Sequence, residues 1–345
     1  MKNNSNMGYT LLACTSVVCL MLLSAVHVYK EKSKLPLVTP SPIAMTNNPI
    51  YVSVNSPYGT VDLVKAINQH NEDTTTTQLK MLREKYLDLM KTVITGMNCL
   101  SAKELQESNP RKLDNAWTER LSLIGISGLR NIQELLENVI SNDIPGDFLE
   151  AGVWRGGGSI FAKAVINSYN QSHDRKVWLC DSFQGLPKST NKKDNDYFSS
   201  LKWIKISEDI VKQNFRRFSL LDDTVHFVKG WFVYSLPCIR NKIKHISVLR
   251  MDGDMYESLT DTFYNLYDLV PIGGYIIIDD WNIPEARKAV TEFRRMHQIE
   301  SKLTVFRYNI SAYWKVEKKV QLNMPWYTNF VNSRKLYRNE KLSTC

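Results

Sequence analysis

Asp147-Phe-Leu-Glu-Ala-Gly-Val-Trp-Arg-Gly-Gly-Gly-Ser159 reads as a short buried strand, a glycine-rich turn and the start of a helix. Phe148, Leu149 and Val153 supply the apolar run. Gly152, Gly156, Gly157 and Gly158 let the backbone turn tightly and lie close to a ligand. Ser159 is placed to cap a helix over residues 160–166. In open α/β sheets the end of such a first strand is where nucleotide-like ligands bind. The next predicted strand, Lys176-Val-Trp-Leu-Cys-Asp181, ends in an acid suited to accepting hydrogen bonds from ribose hydroxyls. The glycine spacing is not that of the phosphate-binding fingerprint. Glu150 adds a charge that repels a pyrophosphate and suits an ammonium or a sulfonium. S-adenosylmethionine carries both and has no phosphate, so the turn predicts a methyl-donor site.

Outward from this stretch, strands and helices alternate. Strands are expected at 147–153, 176–181, 225–230, 246–252, 273–279, 303–308 and 312–316, with helices between most of them. That pattern predicts an α/β fold, a parallel sheet covered on both faces. The last two strands are too close for a helical crossover and should form an antiparallel hairpin. This is the Rossmann-like architecture of class I methyltransferases. Before it, Leu82, Tyr86, Leu89, Met90, Val93, Ile94, Met97 and Leu100 fall at helical spacing, which predicts a helical cover over the sheet.

Two further strands end in paired acids: Ile246-Ser-Val-Leu-Arg-Met-Asp-Gly-Asp254 and Gly273-Gly-Tyr-Ile-Ile-Ile-Asp-Asp280. If the strands are neighbours, Asp252, Asp254, Asp279 and Asp280 converge beside the glycine turn. Acids that close repel one another unless a cation sits among them. An all-oxygen set suits Mg²⁺ or a similar hard ion. Such an ion lowers the pKa of an alcohol, and a nearby carboxylate can take the proton. The expectation is that Asp252, Asp279 and Asp280 hold the metal and Asp254 is the base.

The remainder of the chain bounds the reading. It has 345 residues and a formal net charge of +9, but its Lys and Arg are scattered, which argues against nucleic acid as a partner. Its six cysteines and six histidines show no metal-ligand spacing. Cys180 is expected in the core, and His226 and His245 are expected to be structural. Residues 7–29 are apolar and uncharged over about a bilayer's span, after a short tail at 1–6. They predict a transmembrane signal-anchor. Residues 30–75, rich in Pro and Thr, predict a stem. A helical part at 76–145, a catalytic core at 146–317 and a tail at 318–345 complete the expected layout. Anchor and stem together predict a single-pass membrane protein of the endoplasmic reticulum or Golgi with a lumenal catalytic domain. The basic residues Lys30, Lys32 and Lys34 after the span argue for the opposite orientation.

Several stretches resemble a known family. They are Tyr86-Leu-Asp-Leu-Met-Lys with Ile94-Thr-Gly, Gly146 to Gly157, Asp181-Ser-Phe-Gln-Gly-Leu-Pro187, Lys229-Gly-Trp-Phe232, Arg250-Met-Asp-Gly-Asp-Met-Tyr-Glu-Ser258, Gly273 to Asp280 and Tyr313-Trp-Lys315. In order, over residues 84 to 316, they are similar to the macrocin O-methyltransferase (TylF/MycF-type) family of metal-dependent methyltransferases acting on sugar hydroxyls. The resemblance implies donor contacts from Glu150, Gly152, Trp154, Arg155, Gly156, Gly157 and Ser159, from Asp181 and Ser182, and from Gly230 and Trp231. Ser122 stands where the family has a threonine near the donor. It also implies metal binding at Asp252, Asp279 and Asp280 and a base at Asp254. Val233-Tyr234 departs from the family, which often carries an acid there. The acceptor is expected to be a sugar or glycan hydroxyl, with homo-oligomerisation left open. Two rivals remain at this point. One is a metal-using glycosyltransferase built on the Asp-Gly-Asp triplet, which leaves Glu150 and Asp181 unexplained. The other is an inactive binding module.

Overall fold

The computed structural model describes residues 53–56, 59–99 and 120–334. The chain divides into two compact units between Asn71 and Glu72. In the first, within the stretch expected to be a stem, β1 (Ser53–Ser56) and β2 (Gly59–Asp62) form an antiparallel hairpin. Helix α1 (Leu63–Ile94) begins in this unit and ends in the second.

The second unit is built on a seven-stranded sheet. Its strands are β3 (Asp147–Ala151), β4 (Val177–Asp181), β5 (Val225–Lys229), β6 (Ile246–Met251), β7 (Tyr275–Ile278), β8 (Thr304–Phe306) and β9 (Ser311–Lys315). Their order is β5-β4-β3-β6-β7-β9-β8. The first five are parallel, and β9 pairs antiparallel with both β7 and β8. The order reverses between β3 and β6, and at such a reversal the loops after the two strands diverge and leave a crevice. Every strand expected from the sequence is present, and the closing hairpin is antiparallel as its short connection required.

Successive side chains on a strand point to opposite faces, so the continuous apolar runs bury both. Phe148, Val248 and Ile277 pack on one face with α2 (Gly125–Ser141) and α3 (Gly157–Ser168). Leu149, Leu249 and Ile276 pack on the other with α5 (Phe232–Ile239), α6 (Tyr256–Leu266) and α7 (Pro284–Met296). There the rings of Phe263 and Phe293 stack at 4.2 Å. Helix α4 (Glu208–Arg217) precedes β5, and α8 (Met324–Ser333) adds Tyr327 and Phe330 to the second core.

The cover helix α1 is rotated from its expected face. Leu87, Met90 and Ile94 are buried, while Leu82, Tyr86 and Leu89 are exposed. The inward stripe includes two cations. Arg83 lies over the Tyr169 ring and donates to the Ser168 carbonyl at 3.0 Å. Lys91 is buried and donates to Gln133 at 2.9 Å. Long cationic stems bury well when the head finds a partner, so an apolar count misplaced the stripe. Cys180 is a buried free thiol, Cys238 is disulfide-bonded, and His226 stacks on Trp178 at 4.4 Å.

The membrane expectation is corrected here. Among the described residues no helix is long and apolar enough to cross a membrane. The stretch 7–29, on which the transmembrane signal-anchor and the membrane partner rested, lies outside the described residues. Neither is retained.

Candidate functional site

The ends of β3, β4, β6 and β7 meet at one pocket, which Gly152, Asp181, Asp252, Asp279 and Asp280 all line. One end of it is formed by the glycine turn. Gly152 has φ +93°, and a Cβ there would lie 1.7 Å from the Asp252 carbonyl oxygen. Only glycine fits between two central strands at this point. Gly152→Ala is therefore expected to cost on the order of 3 kcal/mol or more, lowering the melting midpoint by roughly 6–12 °C. A melting point within a degree or two of the parent's would refute the packing argument.

Asp181 is held by backbone N–H groups, among them Val153 on Oδ2 at 2.8 Å and Phe183 on Oδ1 at 2.7 Å. Burial pushes its pKa up, against the pull of those bonds. Trp154, Ser122, Ser182, Gly230 and Trp231 also line the pocket. Arg155, Gly156, Gly157 and Ser159 do not; they build the turn. Arg155 lies over the Trp154 ring and donates to the Arg120 carbonyl at 2.9 Å. Gly156 caps α3 at φ +86°. Ser182 serves its own loop, donating to the Gly185 carbonyl at 2.6 Å.

Glu150 lines the pocket but is not a free charge. It accepts a short hydrogen bond from Ser159 and pairs with Arg250, which is itself 2% exposed. Burial raises the Glu150 pKa, and Arg250 opposes the rise. The two residues stand opposite each other on neighbouring strands, Glu150 of β3 against Arg250 of β6. Arg250 also reaches Asp252 at 2.8 Å and Asp279 at 3.0 Å. It is the functional residue that reading by motif passed over. A charge amid Ser-Val-Leu-Met in a buried strand must be paired, and Glu150 is the charge that stands opposite it on the neighbouring strand.

The acids converge as expected. One carboxylate oxygen from each of Asp252, Asp279 and Asp280 lies within 4.8 Å of the others. Asp254 sits beside them at φ +57°, its backbone N–H donating to Asp280 Oδ2 at 3.0 Å. Burial and mutual repulsion raise the pKa values of Asp252 and Asp280 well above the carboxylate range. Burial and the charge of Asp279 push Asp254 up to about 7.

Beyond the acids the pocket continues along Thr190, Phe198, Trp203, Phe232, Glu257 and Arg334. The Thr190 segment is latched onto the first turn of α6. Thr190 donates through its backbone to Glu257 at 3.1 Å, and Asp194 accepts from the backbone N–H of Glu257 at 2.9 Å. The sequence alone gave none of these a role. The side-chain partners of Thr190, Glu257 and Arg334 lie sixty or more positions away along the chain, and no local pattern reveals such pairing.

A model of the family described as Macrocin-O-methyltransferase (TylF) matches residues 62–316. Demethyldecarbamoylnovobiocin O-methyltransferase of Streptomyces niveus is 37% identical over 252 residues, 67% of this chain and 92% of that protein. Mycinamicin III 3''-O-methyltransferase of Micromonospora griseorubida is 34% identical over 249 residues, 67% of this chain and 96% of that protein. The solved structure of the O-methyltransferase NovP is similar with a TM-score of 0.61 at 36% identity, covering 68% of this chain and all of NovP. The expected lumenal placement rested on the membrane anchor and is withdrawn with it. Fold, site and comparisons agree: this α/β chain is an O-methyltransferase of the class I architecture and belongs to the macrocin O-methyltransferase (TylF) family.

Proposed function

We propose that the protein transfers the methyl group of S-adenosylmethionine to a hydroxyl of a sugar or glycan-like acceptor, with Mg²⁺ or a similar divalent cation at the acid cluster. The observation that carries this reading is the convergence of Asp252, Asp279 and Asp280 beside the glycine turn. Four acids meet there, and Arg250 and Arg307 are the guanidiniums paired with them. The surplus of carboxylate and the all-oxygen donor set fit a hard divalent cation. Asp252, Asp279 and Asp280 would hold it. Bound there, such an ion lowers the pKa of a coordinated hydroxyl.

The chain's own residues supply the remaining steps. Asp254 takes the hydroxyl proton. The acceptor oxygen forms a bond to the methyl carbon as the carbon–sulfur bond breaks, and the electron pair leaves with sulfur. Asp181 receives the ribose hydroxyls, and Gly152 lets the main chain come close to the donor. Trp154, Gly230, Trp231 and Ser122 wall the donor in. Because in-line approach needs both partners held, most of the catalysis is positioning. The sugar acceptor is supported by a relative from Streptomyces olivaceus, 35% identical over 235 residues, whose name is that of a 4'-O-methyltransferase of a rhamnosyl-tetracenomycin. A glycosyltransferase is disfavoured by the pocket's charge. Asp181, Asp252, Asp254, Glu257, Asp279 and Asp280 would repel a nucleotide diphosphate.

Calorimetry tests the donor. S-adenosylmethionine, S-adenosylhomocysteine and a UDP-sugar are titrated into the full chain with and without Mg²⁺. The two adenosyl ligands are expected to bind and the UDP-sugar not to bind. Binding of the UDP-sugar alone would overturn the reading. Methyl transfer from labelled donor to a panel of glycosides then tests the acceptor, and its abolition by a chelator tests the ion.

A further inference from the structure

The turn between β8 and β9 contains no glycine, yet Arg307, Tyr308 and Asn309 have φ of +53°, +53° and +66°. Residues with a Cβ avoid this region, and three in succession are costly. Strain of this kind persists where the surrounding structure demands it. Tyr308 is fully exposed and gains no packing there. Arg307 gains a great deal. Its side chain is only 10% exposed, and Nη1 donates to Asp279 Oδ1 at 2.6 Å and to Ser311 Oγ at 2.7 Å. The Ser311 hydroxyl in turn donates to the Asp279 carbonyl oxygen at 2.9 Å. Arg307 Nη2 reaches the Leu123 carbonyl at 3.5 Å, in a segment that lines the pocket.

Asp279 Oδ1 thus meets two guanidiniums, Arg307 from one side and Arg250 from the other. Oδ1 accepts hydrogen bonds from Arg307 and, at 3.3 Å, from the Ser311 hydroxyl, and Oδ2 is the oxygen left for another ligand. We infer that Arg307 is a positioning residue of the acid site: it fixes Asp279 in the rotamer that brings a carboxylate oxygen within 4.8 Å of those of Asp252 and Asp280. The inference rests on the metal reading above. It gives the strained turn a purpose, because this turn carries the Arg307 side chain from the edge hairpin onto Asp279.

Charge alone predicts the opposite effect. Removing a guanidinium from beside these acids would strengthen their pull on a cation. Losing an outer partner that orients a ligand weakens metal binding, by roughly 10–100-fold in metal sites. The sign therefore separates the two roles. Mn²⁺ is titrated by electron paramagnetic resonance into the full chain saturated with S-adenosylhomocysteine. Arg307→Met is expected to weaken Mn²⁺ binding by about tenfold or more. Arg307→Lys, which keeps the charge and loses the fork, should recover part of the loss. Tyr308→Ala, on the same turn, should leave Mn²⁺ affinity as it is. Tighter or unchanged Mn²⁺ binding by Arg307→Met overturns the inference, as does an equal loss in Tyr308→Ala. A parent protein that binds S-adenosylhomocysteine but no Mn²⁺ overturns the metal reading, and the role of Arg307 falls with it.

Discussion

Asp254→Asn lowers turnover by roughly 10²–10⁴-fold, the range a positioned general base contributes. The substitution is chosen for its backbone. Asp254 stands at φ +57°, a region that asparagine tolerates about as well as aspartate. Its N–H bond to Asp280 is made by the main chain and survives. Asn keeps the shape and cannot take a proton, so the loss should fall on kcat, with S-adenosylhomocysteine affinity nearly unchanged. Near-normal turnover with donor bound would remove Asp254 from the base role.

The same residue sets a pH dependence. Burial and the charge of Asp279 hold Asp254 at about 7, well above the ordinary 3.8. The folded protein therefore binds a proton more readily than the unfolded chain between those values. Stability from this group is greatest below about pH 4 and falls as pH rises toward 7. A cation among the acids favours their ionised forms, so Mg²⁺ should stabilise the protein more at pH 8 than at pH 5. Melting curves at the two pH values, with and without Mg²⁺, check this. An Mg²⁺ effect of equal size at both would argue that the ion binds elsewhere.

The sequence was most legible where one local pattern carries one consequence. Continuous apolar runs gave the sheet, and the short link between β8 and β9 gave its antiparallel close. The acids at the ends of β6 and β7 were legible because strand ends of adjacent parallel strands lie together. What escaped was pairing across distance. Arg250 neutralises an acid one hundred positions away, and Arg307 acts across the sheet edge from a turn. On α1, half-buried Arg83 and buried Lys91 mimicked a solvent face until their partners on other elements were known. A charge read alone looks exposed; its burial is decided by the element that comes to meet it.

That principle predicts the largest stability effect in the molecule, at Arg250. Arg250→Met keeps the length and apolar stem and removes the guanidinium. Glu150, Asp252 and Asp279 then lose their shared partner, and Glu150 is only 1% exposed. Breaking a buried pair from one side costs roughly 3–5 kcal/mol, because the remaining charge is stranded. At two to four degrees per kcal/mol, the melting midpoint should drop by about 6–20 °C. Stranded acids escape by taking up protons, so the deficit should shrink as pH falls. Glu150→Gln added to Arg250→Met removes one stranded charge and should restore part of the loss. In that double variant the short bond to Ser159 can persist with a neutral acceptor. If Arg250→Met instead melted with the parent at pH 8, the guanidinium would not be what holds the acids together, and the cluster would have to be assembled by the backbone alone.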